Sequence, residues 1–124
     1  MRILSVDDST ATRFFIKKAI EVLGFDFLEA VDGKEGIEVL KRENGNIDLI
    51  LLDRHMPVMD GLEMLQAVKA DDSYKDIPVT MVTVETERKE IQKAISMGAK
   101  NYLIKPFTQE NLIGKIMESL EMNA

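Results

Sequence analysis

The stretch Ile47-Asp48-Leu49-Ile50-Leu51-Leu52-Asp53 decides the fold. Four successive apolar residues without polar alternation describe a strand buried on both faces, as in a parallel sheet covered by helices on both sides. The run halts abruptly at a carboxylate, Asp53. Pro57 and Gly61 then mark a loop, and a helix follows with Leu62, Leu65 and Val68 on its apolar stripe. Upstream, Ile3-Leu4-Ser5-Val6 stops in the same way at Asp7-Asp8. Helical spacing runs from about Ser9 to Leu23 through Phe14, Phe15, Ala19 and Ile20, and Gly24 closes it. Phe25 to Val31 contains a second strand, and Asp32-Gly33 a turn. Glu35 to Arg42 is helical through Ile37, Val39 and Leu40, until Asn44-Gly45-Asn46 breaks it. Downstream, Pro78 to Thr83 is a strand. Thr86 suits the start of a helix carrying Ile91, Ala94 and Ile95, closed by Gly98. Asn101 to Ile104 is a short strand, Lys105-Pro106 interrupts, and Thr108 opens a last helix with Leu112, Ile116 and Leu120. Five strand–helix pairs with short connections give an α/β class: a single doubly wound, five-stranded parallel sheet flanked by five helices. Periodicity does not give the pairing order.

Composition narrows the chemistry. The 124 residues suit one domain, 1–124. The absence of cysteine excludes a disulfide scaffold, a thiol nucleophile and a cysteine zinc site, and the single histidine, His55, excludes a two-imidazole centre. Sixteen basic residues against 22 acidic give a net charge of −6, which has no general attraction for nucleic acid or anionic membrane. No run reaches the roughly 18 apolar residues of a membrane span, so no membrane insertion is expected. Met1-Arg2-Ile3-Leu4 carries no signal-peptide pattern, which points to the cytoplasm.

The residues that end the strands carry the chemistry: Asp7 and Asp8, Asp53, Thr83, and Lys105. In an open parallel sheet the carboxyl ends of the strands share one edge, and ligands bind there where strand order reverses. Taken singly, Asp7-Asp8 reads as a helix cap, Asp53 as a turn residue, Thr83 as a loop hydroxyl and Lys105 as a solvated charge. Together, near one edge, they are hard to obtain by chance. Three close carboxylates repel one another and demand positive charge. Lys105 supplies one unit. A hard divalent cation with a taste for oxygen, Mg²⁺ above all with Mn²⁺ as the other candidate, supplies the rest. Carboxylates, a lysine, a hydroxyl and such a cation suit phosphoryl chemistry, in which an aspartate can itself be the nucleophile.

The same residues resemble the receiver domain of two-component response regulators. The motifs are Val6-Asp7-Asp8-Ser9, Leu51-Leu52-Asp53 through Met56-Pro57 to Asp60-Gly61, Val82-Thr83, Gly98-Ala99 and Lys105-Pro106-Phe107. The resemblance covers essentially the whole chain. Pro78 to Glu85 and Lys105 to Thr108 bring it nearest to the chemotaxis regulators of that family. It implies a flavodoxin-like strand order 2-1-3-4-5. It also implies that Asp53 accepts a phosphoryl group from a histidine kinase of the chemotaxis type, that Asp7, Asp8, Asp53 and the backbone carbonyl of His55 hold Mg²⁺, and that Lys105 and Thr83 bind the phosphoryl oxygens. Tyr102 would follow Thr83 inward, and the bond before Pro106 would be cis. Helix four, strand five and helix five would then form an output face, for which Ile91, Ile95, Ala99, Tyr102, Ile104 and Lys115 are the candidates; burial in the core is the competing reading for the apolar ones. His55 and Glu85 would flank the hydrolytic water and tune dephosphorylation, against the plainer reading of His55 as a solvated loop residue. Val84 would restrict access to Asp53. A monomer is implied, binding the flagellar switch or another protein and served by a phosphatase, with only self-catalysed phosphotransfer and autodephosphorylation. A stand-alone phosphorelay shuttle or phosphate sink fits the same motifs. Two rivals do not. An aspartate-nucleophile phosphohydrolase needs a second aspartate two residues on, where Ser9 and His55 stand. A flavin binder needs a phosphate-cradling loop where Asp7-Asp8 would repel it.

Overall fold

The structure is a computed structural model describing residues 1–122. Its elements alternate: β1 Arg2–Val6, α1 Thr10–Val22, β2 Asp26–Ala30, α2 Gly33–Arg42, β3 Leu49–Leu52, α3 Gly61–Ala70, β4 Val79–Thr83, α4 Arg88–Ser96, β5 Asn101–Ile104 and α5 Gln109–Ser119. All strand pairs are parallel, in the order 2-1-3-4-5. Alternate strand residues divide between two cores. Leu4, Val6, Ile50, Leu52, Val79 and Met81 pack with α2, α3 and α4. Ile3, Leu49, Leu51 and Val82 pack with α1 and α5. The order reverses between β1 and β3, whose registered ends are Val6 and Leu52. The crevice of the fold therefore opens directly above Asp7 and Asp53.

Three local expectations need correction. On α1 the buried stripe is Ile16, Ala19 and Ile20, while Phe14 is 59% exposed and Phe15 also faces solvent. The i, i+3, i+4 geometry admits Ile16 and leaves Phe14 beside the stripe. Phe15 packs edge-on against Phe107 instead. Asp32-Gly33 is not a free turn, since Asp32 caps α2 by accepting from the Glu35 N–H and Gly33 is already helical. Thr86 does not open α4. The Glu85 carboxylate accepts the N–H of Glu87 at 3.0 Å, holding an extended segment, and the helix begins at Arg88.

Candidate functional site

The sheet ladder continues one residue past each strand and so fixes the site residues. Asp7 N–H donates to Ala30, Asp53 N–H to Val6, and Lys105 N–H to the Thr83 carbonyl, all at 2.9–3.0 Å. Asp7, Asp53 and Thr83 are buried and Asp8 is exposed. Oxygens of Asp7, Asp8 and Asp53 lie within 4.8 Å of one another. Lys105 Nζ donates to Asp7 Oδ2 at 2.7 Å and reaches Asp53 Oδ2 at 3.4 Å. The second oxygen of each is also held: Asp7 Oδ1 accepts the Ser9 N–H and Asp53 Oδ1 the Arg54 N–H, both at 2.8 Å. Ser9 is the cap of α1, through its hydroxyl on the Thr12 N–H, so the aspartate pair is released from capping.

Burial pushes the Asp7 carboxyl above its ordinary range. The neighbouring Asp53 charge adds to that, and the Lys105 and Ser9 hydrogen bonds only partly offset it. Three carboxylates against one ammonium leave about two negative charges, and every donor is a hard oxygen. The residues present therefore fit a divalent cation of the Mg²⁺ kind.

Gly61 makes this packing feasible. Its amide donates to the Arg54 carbonyl at 2.8 Å, and a Cβ at this position would collide with the Asp53 carbonyl oxygen.

The remaining predicted residues group around Glu85. Among the described residues Thr83 Oγ1 accepts only a long, 3.5 Å bond from the Glu85 N–H and makes none to the carboxylates. The Tyr102 hydroxyl donates to the Glu85 carbonyl at 3.2 Å and is pushed up to about 12, first by burial and then by the Glu85 charge. The exposed His55 imidazole stands 3.6 Å from the Glu85 carboxylate. Val84 projects into solvent, and Lys105–Pro106 is cis. On the candidate output face, Ile95 and Ile104 are exposed, and Ile91, Tyr102 and Lys115 are half-buried. Lys115 also leans on Asn101 and Glu118. Ala99 is a correction: it is 4% exposed and belongs to the core beneath α4, where the chain turns back into β5, so it offers no side-chain surface.

Two arginines escaped the sequence reading. Arg54 places Nη2 2.6 Å from Glu90 Oε2 on α4. Arg13 reaches from α1 to Glu29 and to the Asp7 carbonyl. Nothing in their spacing announces either contact, because both partners come from other elements.

A doubly wound sheet with an acidic triad and a lysine at its switch point defines the receiver class. The chain belongs to the response regulator receiver domain family, which matches residues 3–117. It is 41% identical over 122 residues to the chemotaxis protein CheY of Pseudomonas aeruginosa, covering 98% of this chain and 97% of that one. It is 39% identical over 124 residues to chemotaxis protein CheY1 of Helicobacter pylori, covering 99% of each. Among solved structures, the chemotaxis response regulator CheY4 of Vibrio cholerae superposes with a TM-score of 0.87 at 33% identity, over 95% of this chain and 97% of that one. A CheY-like receiver domain protein from Methanospirillum hungatei gives 0.86 at 32% identity, over 97% and 93%. Proteins of this type signal; they are not conventional enzymes.

Proposed function

We propose that the protein is a single-domain response regulator that accepts a phosphoryl group on Asp53 from the phosphohistidine of a kinase and then binds a protein target, the flagellar motor switch of a chemotaxis pathway. The observation that carries this reading is the buried Asp7–Asp53 pair bridged by Lys105 at the switch point. An Asp53 oxygen forms the new P–O bond as the donor's P–N bond breaks, and the electron pair leaves with the imidazole nitrogen. Mg²⁺ held by Asp7, Asp8, Asp53 and the His55 carbonyl would neutralise phosphoryl charge. Lys105 shifts its ammonium from the carboxylates to a phosphoryl oxygen. A groove of about 280 Å³, lined by Ala11, Thr12, Phe15, Lys105, Pro106 and Phe107, opens beside that lysine and gives a donor an apolar seat.

The switch follows from the weak hold on Thr83. Its hydroxyl exchanges a 3.5 Å bond for a charge-assisted one to the phosphoryl group, worth about 1.5–3 kcal/mol. Tyr102 hangs on the same Glu85 backbone, so movement of residues 83–85 reaches α4, β5 and α5. In this reading His55 and Glu85, 3.6 Å apart, orient the hydrolytic water, and Val84, next to Thr83, narrows a small donor's approach.

Incubation with acetyl phosphate and Mg²⁺ tests the reading. One phosphoryl mass increment on the wild type and none on Asp53→Asn is the expected result. No increment on the wild type would remove the proposal. The phosphorylated form, or its beryllofluoride mimic, is then offered to a flagellar switch component, and no gain in binding would redirect the output to another partner.

A further inference from the structure

Arg13 is a charged side chain only 11% exposed, and neither the capping of α1 nor the proposed phosphotransfer uses it. Each of its three nitrogens has a partner. Nη1 donates to the Asp7 backbone carbonyl at 2.6 Å, Nε to Glu29 Oε1 on β2 at 2.7 Å, and Nη2 approaches Thr10 Oγ1 at 3.4 Å. A buried guanidinium needs such partners to offset its desolvation. What matters is which atom it holds.

The three carboxylates of the site are not fixed alike. Asp7 and Asp53 each have both oxygens engaged by Lys105 and a backbone N–H. Asp8 is exposed, and its carboxylate makes no hydrogen bond or ion pair among the described residues. Its position therefore follows from its backbone. The Asp7 carbonyl and the Asp8 amide form one rigid peptide plane, and rotation of that plane swings the Cα–Cβ bond of Asp8. On its other side, Asp7 is pinned by its own N–H on Ala30.

We propose that Arg13 is a positioning residue for the metal-binding loop: by clamping the Asp7–Asp8 peptide against β2 it aims the otherwise unheld Asp8 carboxylate at the cation. The inference rests on the proposed Mg²⁺-dependent function. Groups one step behind a metal ligand typically govern affinity by 10–100-fold. The sign separates this role from plain electrostatics. An arginine this close to the acidic cluster repels a cation, so loss of its charge alone would tighten binding.

The test is calorimetric titration of the metal-free protein with MgCl₂ at neutral pH, alongside its thermal unfolding without metal. Arg13→Met, which keeps the aliphatic stem, is expected to weaken Mg²⁺ binding about ten-fold. Arg13→Lys keeps the charge but cannot bridge Asp7 and Glu29, and weakens it by a similar factor; it also serves if the methionine variant does not fold. Tighter or unchanged binding in the variants overturns the inference while leaving the proposed function intact, and so does a fall in metal-free stability at unchanged affinity. No Mg²⁺ binding by the wild type removes the function and this inference together.

Discussion

Two helices enter the functional edge, and they are secured in opposite ways. The entry of α1 is tightly held: Ser9 caps it, Arg13 ties it to Asp7 and to β2, and Ile16, Ala19 and Ile20 bury its inner face. The entry of α4 has no side-chain cap, and Ala94 is the sole buried residue of its nine. Two acidic side chains do the holding there. Glu85 faces His55 and ties the Glu87 N–H; Glu90 faces Arg54. Arg54 and His55 are the two residues that follow Asp53, so the loop after Asp53 restrains α4. That restraint is loose. The Arg54–Glu90 contact is short, yet Glu90 Oε2 lies out of line for a hydrogen bond, and Arg54 Nη1 is buried without a partner among the described residues. The difference teaches how one sheet edge can serve two purposes: one half is over-determined, which holds the carboxylates in place, and the other is under-determined, which suits the movement that the proposed function asks of it.

Capping offers the largest test of the contrast. Ser9→Ala removes the hydroxyl that accepts the Thr12 N–H and is expected to cost about 1 kcal/mol in urea unfolding. Glu87→Ala, at the matching position of α4, stays within about 0.5 kcal/mol of zero. Equal losses would erase the distinction.

A smaller effect is expected for Glu90→Gln. Without its charge the first turn of α4 loses its tie to Arg54. Amide exchange at residues 90–92 should quicken about five-fold, matching the roughly 1 kcal/mol of a partly exposed ion pair, while α1 exchange stays unchanged. Unaltered exchange in α4 would show that Arg54 does not restrain it.

The smallest effect lies in the titration of Tyr102. Its hydroxyl ionises near 12 instead of 10.0, and absorbance at high pH reads the midpoint. Between those values the native state keeps a proton that the unfolded chain has lost, so stability falls as pH rises across that window. Glu85→Gln removes the second cause of the shift and should bring the midpoint down. A midpoint that does not move would separate Tyr102 from Glu85.

Much of this was legible in the chain. Asp7, Asp8, Asp53, Thr83 and Lys105 stood out because each ends an apolar run, and a parallel sheet gathers such ends on one edge. Strand order came from resemblance, since β1 pairs with both β2 and β3 through contacts that no local pattern records. The tethers were illegible for the same reason: Arg54 meets Glu90 only after β3 and α4 are docked, and Arg13 meets Glu29 only after β2 is laid beside β1. Thr86 misled because a good helix-start residue was overridden by a carboxylate one position earlier.

The collision that any side chain at position 61 would make with the Asp53 carbonyl has a consequence for redesign. The residues from Val58 to Asp60 are each held by a particular contact or conformation: Val58 has φ 70°, the Met59 carbonyl accepts the Gly33 N–H, and Asp60 caps α3. Position 61 is held by lack of space: a methyl group there would push the backbone of Asp53. In a saturation library scored for the proposed signalling, Gly61 should tolerate as little as the proposed acceptor Asp53, although it carries no functional group at all.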